Sequence, residues 1–227
     1  MDKSEQPPRG TEQRYSLERL TIVPLDRPFE IPEPLRAFRW PAELLGKGET
    51  NHADGSLEVH YPKGDGLLSF VTTFHELGHL RQKELNPAIA ALSPGSHERL
   101  LAEEQDAWER GWRRIERACP DVIATLEGRV AAHRVAGTLP DIASFRALYE
   151  WVRDHVLTIV EAQRVLFEEG DRGAFDVQRW EALAVAFERQ GLRAFLERYA
   201  AMRTGEQVDS VAIEDMIRRV VATVVRE

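Results

Sequence analysis

Apolar and polar positions along this chain change their period as it proceeds. In Ser56-Leu-Glu-Val-His-Tyr61 they alternate, with Leu57, Val59 and Tyr61 on one side and Ser56, Glu58 and His60 on the other, which predicts a half-buried strand. Gly55 precedes it, and Pro62, Gly64 and Gly66 close it. The run Arg19–Leu25 predicts another short strand. Its Pro24 points to an edge or a strand end, because proline donates nothing to a ladder.

From about residue 67 the period is helical. One helix is expected from Gly66 or Ser69 to Leu85, closed by Asn86-Pro87. A second runs from an N-cap at Ser96 to about Arg117. A third occupies 121–136, between the Cys119-Pro120 break and the Gly137 to Pro140 break. Residues 141–227 read as helix throughout: a long segment capped by Asp141 and reaching Glu169, then helices near 174–203 and 209–226. In the last of these Ile213, Met216, Ile217, Val220, Val221 and Val224 make one apolar stripe.

Composition turns these elements into a fold class. Residues 1–66 hold eight of the twelve prolines and six of the fifteen glycines, so this part is loop and short strand, with 1–15 expected to be flexible. The expected class is α+β, mostly α. Residues 1–137 form a domain with a small N-terminal β-sheet, and 138–227 form a helical region packed on it. With 227 residues, 43% of them hydrophobic, the chain can build a real core and is not a disordered one. No stretch approaches the roughly 20 apolar residues of a membrane span. The start, Met1-Asp-Lys-Ser-Glu-Gln-Pro-Pro8, lacks the order of a secretory signal. A cytoplasmic protein without a membrane partner is the expectation.

Charge narrows the partners. Lys and Arg number 30 against 38 Asp and Glu, a formal charge of −8, and the pI is near 5.5. A nucleic-acid partner is therefore not expected, since binding a phosphate backbone needs a basic face. The cations, 26 Arg and 4 Lys, are scattered among acids as on a solvated, ion-paired surface. Cys119 is the single cysteine, which excludes a disulfide framework and a thiolate zinc cluster. It reads as a small buried hydrophobe.

Chemistry concentrates in Thr72-Thr-Phe-His-Glu-Leu-Gly-His79. On a helix His79 lies about 40° round from His75, and Glu76 about 100° round. Two imidazoles stacked one turn apart can bind one zinc ion, and the adjacent glutamate can reach a water on that metal. Phe70, Phe74 and Leu77 lie roughly opposite and can anchor the helix in a core. A catalytic zinc takes a third protein ligand, and the next helix offers acids. Glu104 shares a face with Leu100, Leu101, Ala107, Trp108, Gly111 and Ile115, while Asp106 is roughly opposite and Glu103 is about 100° off the stripe. A glutamate within an apolar stripe needs a positive partner, which zinc or a cation such as Arg81 can supply. Glu104 is the first candidate and Glu103 the second.

These residues resemble the gluzincin-type metallopeptidases, closest to compact ImmA/IrrE-like proteins. There T-x-x-H-E-x-G-H on an active-site helix is followed by E-x-x-A, matched here by Thr72, His75, Glu76, Gly78 and His79, and by Glu104 with Ala107. The match spans about residues 55–115. Trp108 stands where that family commonly has Asn, and no helix-turn-helix domain is evident. The resemblance implies a zincin-like domain with Zn2+ on His75, His79 and Glu104. It implies Glu76 as the general base that takes a proton from water and returns it to the leaving amine, and an intracellular protein or peptide as substrate. It further implies that the strand Ser56–Tyr61 is the edge along which an extended peptide pairs. A non-catalytic zincin-fold module that binds a protein partner is the alternative. A non-peptidase metal hydrolase is a third reading, with no motif of its own. Tyr149, His155, His133, Tyr199, His60 and His52 are weak candidates for stabilising an oxyanion, and Trp108, Trp112, Trp151 and Trp180 read as core.

Overall fold

A computed structural model describes residues 15–25, 46–51, 53–63, 66–139, 141–162 and 210–227, with scattered positions between 164 and 197. Three strands, β1 (Leu20–Leu25), β2 (Lys47–Asn51) and β3 (Ser56–Pro62), form a mixed sheet in the order β1-β3-β2. β1 runs parallel to β3, and β2 antiparallel to it. The alternation of β3 is realised: Leu57, Val59 and Tyr61 are all 0% exposed. Pro24 lies on β1, an outer strand, as its missing N–H requires. β3 is the central strand and not an edge, so the edge expected there belongs to its neighbours. β2 is built from Lys47-Gly-Glu-Thr-Asn51, which carries no alternating apolar pattern. The turn from β2 to β3 is held by the Asn51 side chain accepting from Ala53 N–H at 2.9 Å and Asp54 accepting from Ser56 N–H at 2.8 Å.

The described helices are α1 (Gly66–His79), α2 (Gln82–Leu85), α3 (Pro87–Ala91), α4 (His97–Ala118), α5 (Pro120–Val135), α6 (Phe145–Ala162) and α7 (Ser210–Val224). α1 is the axis of the molecule. It packs between the sheet and α4, and every residue in it except His79 is buried. A helix buried all round should be apolar all round, so its Thr72, Thr73, His75 and Glu76 stand out as polar groups held inside.

α1 stops at His79, short of the expected Leu85, because Arg81 takes a left-handed conformation with φ 54°. The cause is tertiary. Arg114 of α4, 2% exposed, donates from Nη1 to the carbonyls of Leu77 at 2.5 Å and Leu80 at 3.0 Å, and so satisfies the helix end. Its Nη2 pairs with Glu227 at 2.7 Å, and Arg81 donates to the Val224 carbonyl at 2.8 Å.

Ser96 caps α4 as expected, accepting from Arg99 N–H at 3.2 Å. α6 begins at Phe145, later than an Asp141 cap requires. Ser144 accepts from Ala147 N–H at 3.0 Å, and Glu127 accepts from Phe145 N–H at 2.8 Å. The helix expected near 174–203 lies largely outside the described residues, as do residues 1–14. Tyr15, placed in the flexible start, is buried: its hydroxyl donates to Glu84, and the Arg81 guanidinium lies 4.8 Å from its ring centre.

The core runs without interruption from the sheet to the C-terminal helices. Phe74 of α1, Trp112 of α4, and Phe145 and Tyr149 of α6 pack ring on ring. All six apolar residues of the α7 stripe are 0% exposed. Cys119 is buried in the same core, and burial pushes its thiol up to about 11. Among the described residues, no helix is long and apolar enough to cross a membrane.

Candidate metal centre

Two glycines set the distance between α1 and α4. A Cβ at Gly78 would lie 2.6 Å from the Ala107 carbonyl carbon, and one at Gly111 would lie 2.8 Å from that of Phe74. Each helix therefore contributes a glycine where the other's backbone passes. This close approach brings the α4 carboxylate at Glu104 within reach of the α1 imidazoles.

Three side chains converge there. His75 Nε2 lies 3.1 Å from Glu104 Oε2, His79 Nε2 lies 3.6 Å from Glu104 Oε1, and the two Nε2 atoms are 3.2 Å apart. With zinc–ligand bonds of about 2.0–2.1 Å, the corners of a tetrahedron sit roughly 3.3–3.4 Å apart. The three separations scatter around that edge length, and a His–His–Glu donor set is one that zinc takes. Burial alone would push the Glu104 carboxyl up, but the His75 and His79 imidazoles, with a hydrogen bond from His75, bring it down to about 2.

Glu103 lies elsewhere. It accepts from Arg99 Nε at 2.8 Å and lies 3.6 Å from Lys83. Arg81, the alternative cation for a buried Glu104, pairs instead with Glu84 at 2.8 Å. Among the described residues the ion-pair partners of Glu104 are the two histidines.

Glu76 lies beside the cluster, its Oε1 3.9 Å from His75 Nε2. Its carboxyl is raised to about 7, chiefly by burial and further by the nearby Glu104 charge, against the opposing pull of His79 and the Gly48 backbone N–H. That N–H comes from β2, which lies directly over Glu76. A Cβ at Gly46 would strike the Glu76 side chain, and one at Gly48 its backbone carbonyl. Only glycine lets the strand sit so close.

A cleft of about 360 Å³ opens on this group, lined by Gly46, Lys47, Gly48, Thr72, Trp108 and Val156 around the four site residues. Alongside it a second hollow continues past His79 along Lys47–Thr50 toward Lys83. The strand edge beside the histidines is therefore that of β2.

Comparison with family models, with curated proteins and with solved structures returns no match to this chain.

Of the weak oxyanion candidates that are described, none lines the cleft. The Tyr149 hydroxyl is buried and donates to the Trp108 carbonyl at 2.6 Å. His155 Nδ1 bonds the Trp151 carbonyl at 2.7 Å, and its ring stacks on Phe195. His60 pairs with Glu58 on β3, and His133 is half-buried on α5. Tyr199, His52 and Trp180 lie outside the described residues.

Trp108 is core, as expected, and also stacks on His75 with ring centres 4.4 Å apart. Helical periodicity alone does not identify β2 with its Gly48 and the Gly46 just before it, or Gln82, whose side chain bonds His79. The available signals were the glycine pair at 46 and 48 and an amide three residues after the second histidine.

Proposed function

We propose that the protein is a zinc-dependent endopeptidase of gluzincin type, with a zincin-like domain built around α1. The observation that carries this reading is the convergence of His75 Nε2, His79 Nε2 and the Glu104 carboxylate, with Glu76 buried beside them and bearing no ligand role. A bound zinc would supply Lewis acidity toward a water and a carbonyl oxygen.

The chain's own residues do the rest. Glu76 accepts the water proton on its carboxylate and delivers it to the departing amine nitrogen. The Gly48 backbone N–H favours the charged form of that carboxylate. The outer side of β2 is unpaired among the described residues, and an extended peptide laid along it gains backbone hydrogen bonds irrespective of its sequence. Trp108 and Val156 form the apolar wall of the cleft.

The test is Glu76→Gln. The amide is nearly isosteric with the carboxylate but takes no proton, so turnover should fall by about 10²–10⁴-fold while zinc content and fold are kept. Both forms are used to capture proteins from a lysate of the source cells, and new chain termini are read by mass spectrometry. New termini with the parent, and an intact captured protein with Glu76→Gln, support peptidase action. If both forms hold the same uncut protein and neither produces termini, the protein is a binding module.

A further inference from the structure

Gln82 follows His79 across the left-handed turn at Arg81 and is 4% exposed. Its Oε1 lies 3.1 Å from His79 Nδ1. The other end of the amide is anchored twice, Nε2 donating to the Glu103 carbonyl at 2.6 Å and to Asp106 Oδ2 at 2.9 Å. Asp106 is itself fixed, accepting from Asn86 at 3.0 Å and from Arg110 at 3.0 Å.

This network decides the orientation of the amide. A flipped Gln82 would set its oxygen against a carbonyl and a carboxylate, both of which only accept. The oxygen therefore faces His79, and an oxygen at that distance needs a donor. Nδ1 of His79 carries the proton, which leaves the Nε2 lone pair bare toward His75 and Glu104. His75 has no such partner: its Nδ1 is buried without a hydrogen bond among the described residues. The two histidines are thus supported differently.

We propose that Gln82 is a positioning residue that holds His79 in the Nδ1–H form, with Nε2 ready as a ligand before any metal arrives. His75 is left to take whichever tautomer its neighbours favour. The purpose of this arrangement rests on the metal-centre reading, but its test does not.

Nitrogen-15 NMR of the imidazoles, which distinguishes the two neutral tautomers from the cation, is recorded on the zinc-free full chain at mildly alkaline pH. The parent protein is expected to show His79 protonated at Nδ1. Gln82→Met keeps the length and bulk of the side chain but removes the acceptor, so His79 should become a mixture of tautomers. Zinc affinity, measured by competition with a chromophoric chelator, should fall by about 10–100-fold. Asp106→Leu leaves Gln82 in place but removes one of the two acceptors that fix its amide, so it should shift His79 part-way toward the same mixture; a role in packing alone predicts no tautomer change there.

A parent His79 protonated at Nε2 overturns the proposal, with no variant needed. So does an unchanged tautomer with unchanged zinc affinity in Gln82→Met. If the parent shows His79 at Nδ1–H yet takes up no zinc, the assignment of Gln82 stands and the metal-centre reading falls.

Discussion

Gly78 of α1 lies directly against the Ala107 carbonyl of α4, at the place where the two helices pass. The contact leaves no room for a methyl group, and Glu104 is one turn of α4 before Ala107. Gly78→Ala should therefore push the helices apart and carry the carboxylate away from the imidazoles. The expected cost is about 1–3 kcal/mol of stability, the usual penalty for overpacking, together with a loss of bound zinc. Gly128 on α5 is the control: it meets nothing within 4 Å, so Gly128→Ala should stabilise by about 0.4–1 kcal/mol. Thermal unfolding and zinc content of the two variants check both signs.

The C-terminal helices share the core of α1 and α4. A chain ended at Gly137 loses α6 and α7, and with them the rings of Phe145 and Tyr149 that cover Phe74 and Trp112. It is expected to aggregate or to melt far below the full chain, as followed by light scattering and circular dichroism. A monomeric, zinc-loaded fragment with an unchanged melting temperature would contradict the shared core.

Much of this arrangement is legible in the sequence, and the failures have physical causes. His75, Glu76 and His79 are local to one helix, so spacing alone puts them together. Glu104 is legible because a carboxylate in an apolar stripe asks for a positive partner. β2 is not, because Lys47-Gly-Glu-Thr-Asn51 owes its extended form to pairing with β3 and to Gly48, which fits over Glu76. The end of α1 is not legible either. No glycine or proline marks Leu80-Arg81, and the stop depends on Arg114, which is distant in sequence.

Acid should loosen the contact between α5 and α7. Arg219 hydrogen-bonds Asp121 at 2.6 Å and holds its carboxyl down to about 2, against an ordinary value of 3.8. A depressed carboxylate stabilises the fold above its unfolded value, and that contribution is lost as pH falls through the folded one. The loss should therefore fall between about pH 4 and pH 2. Asp121→Asn should remove this component, so its melting temperature and that of the parent should converge across that interval. A constant difference between them would contradict the pairing.

Elemental analysis of the purified protein tests the proposed metal centre of His75, His79 and Glu104 without knowledge of a substrate. The parent and Glu103→Ala should each carry one zinc per chain. Zinc should be absent from His75→Ala and His79→Ala, and strongly reduced in Glu104→Ala. A parent without metal would rule out this centre, and a Glu104→Ala that keeps its zinc while Glu103→Ala loses it would rule out Glu104 as the third ligand.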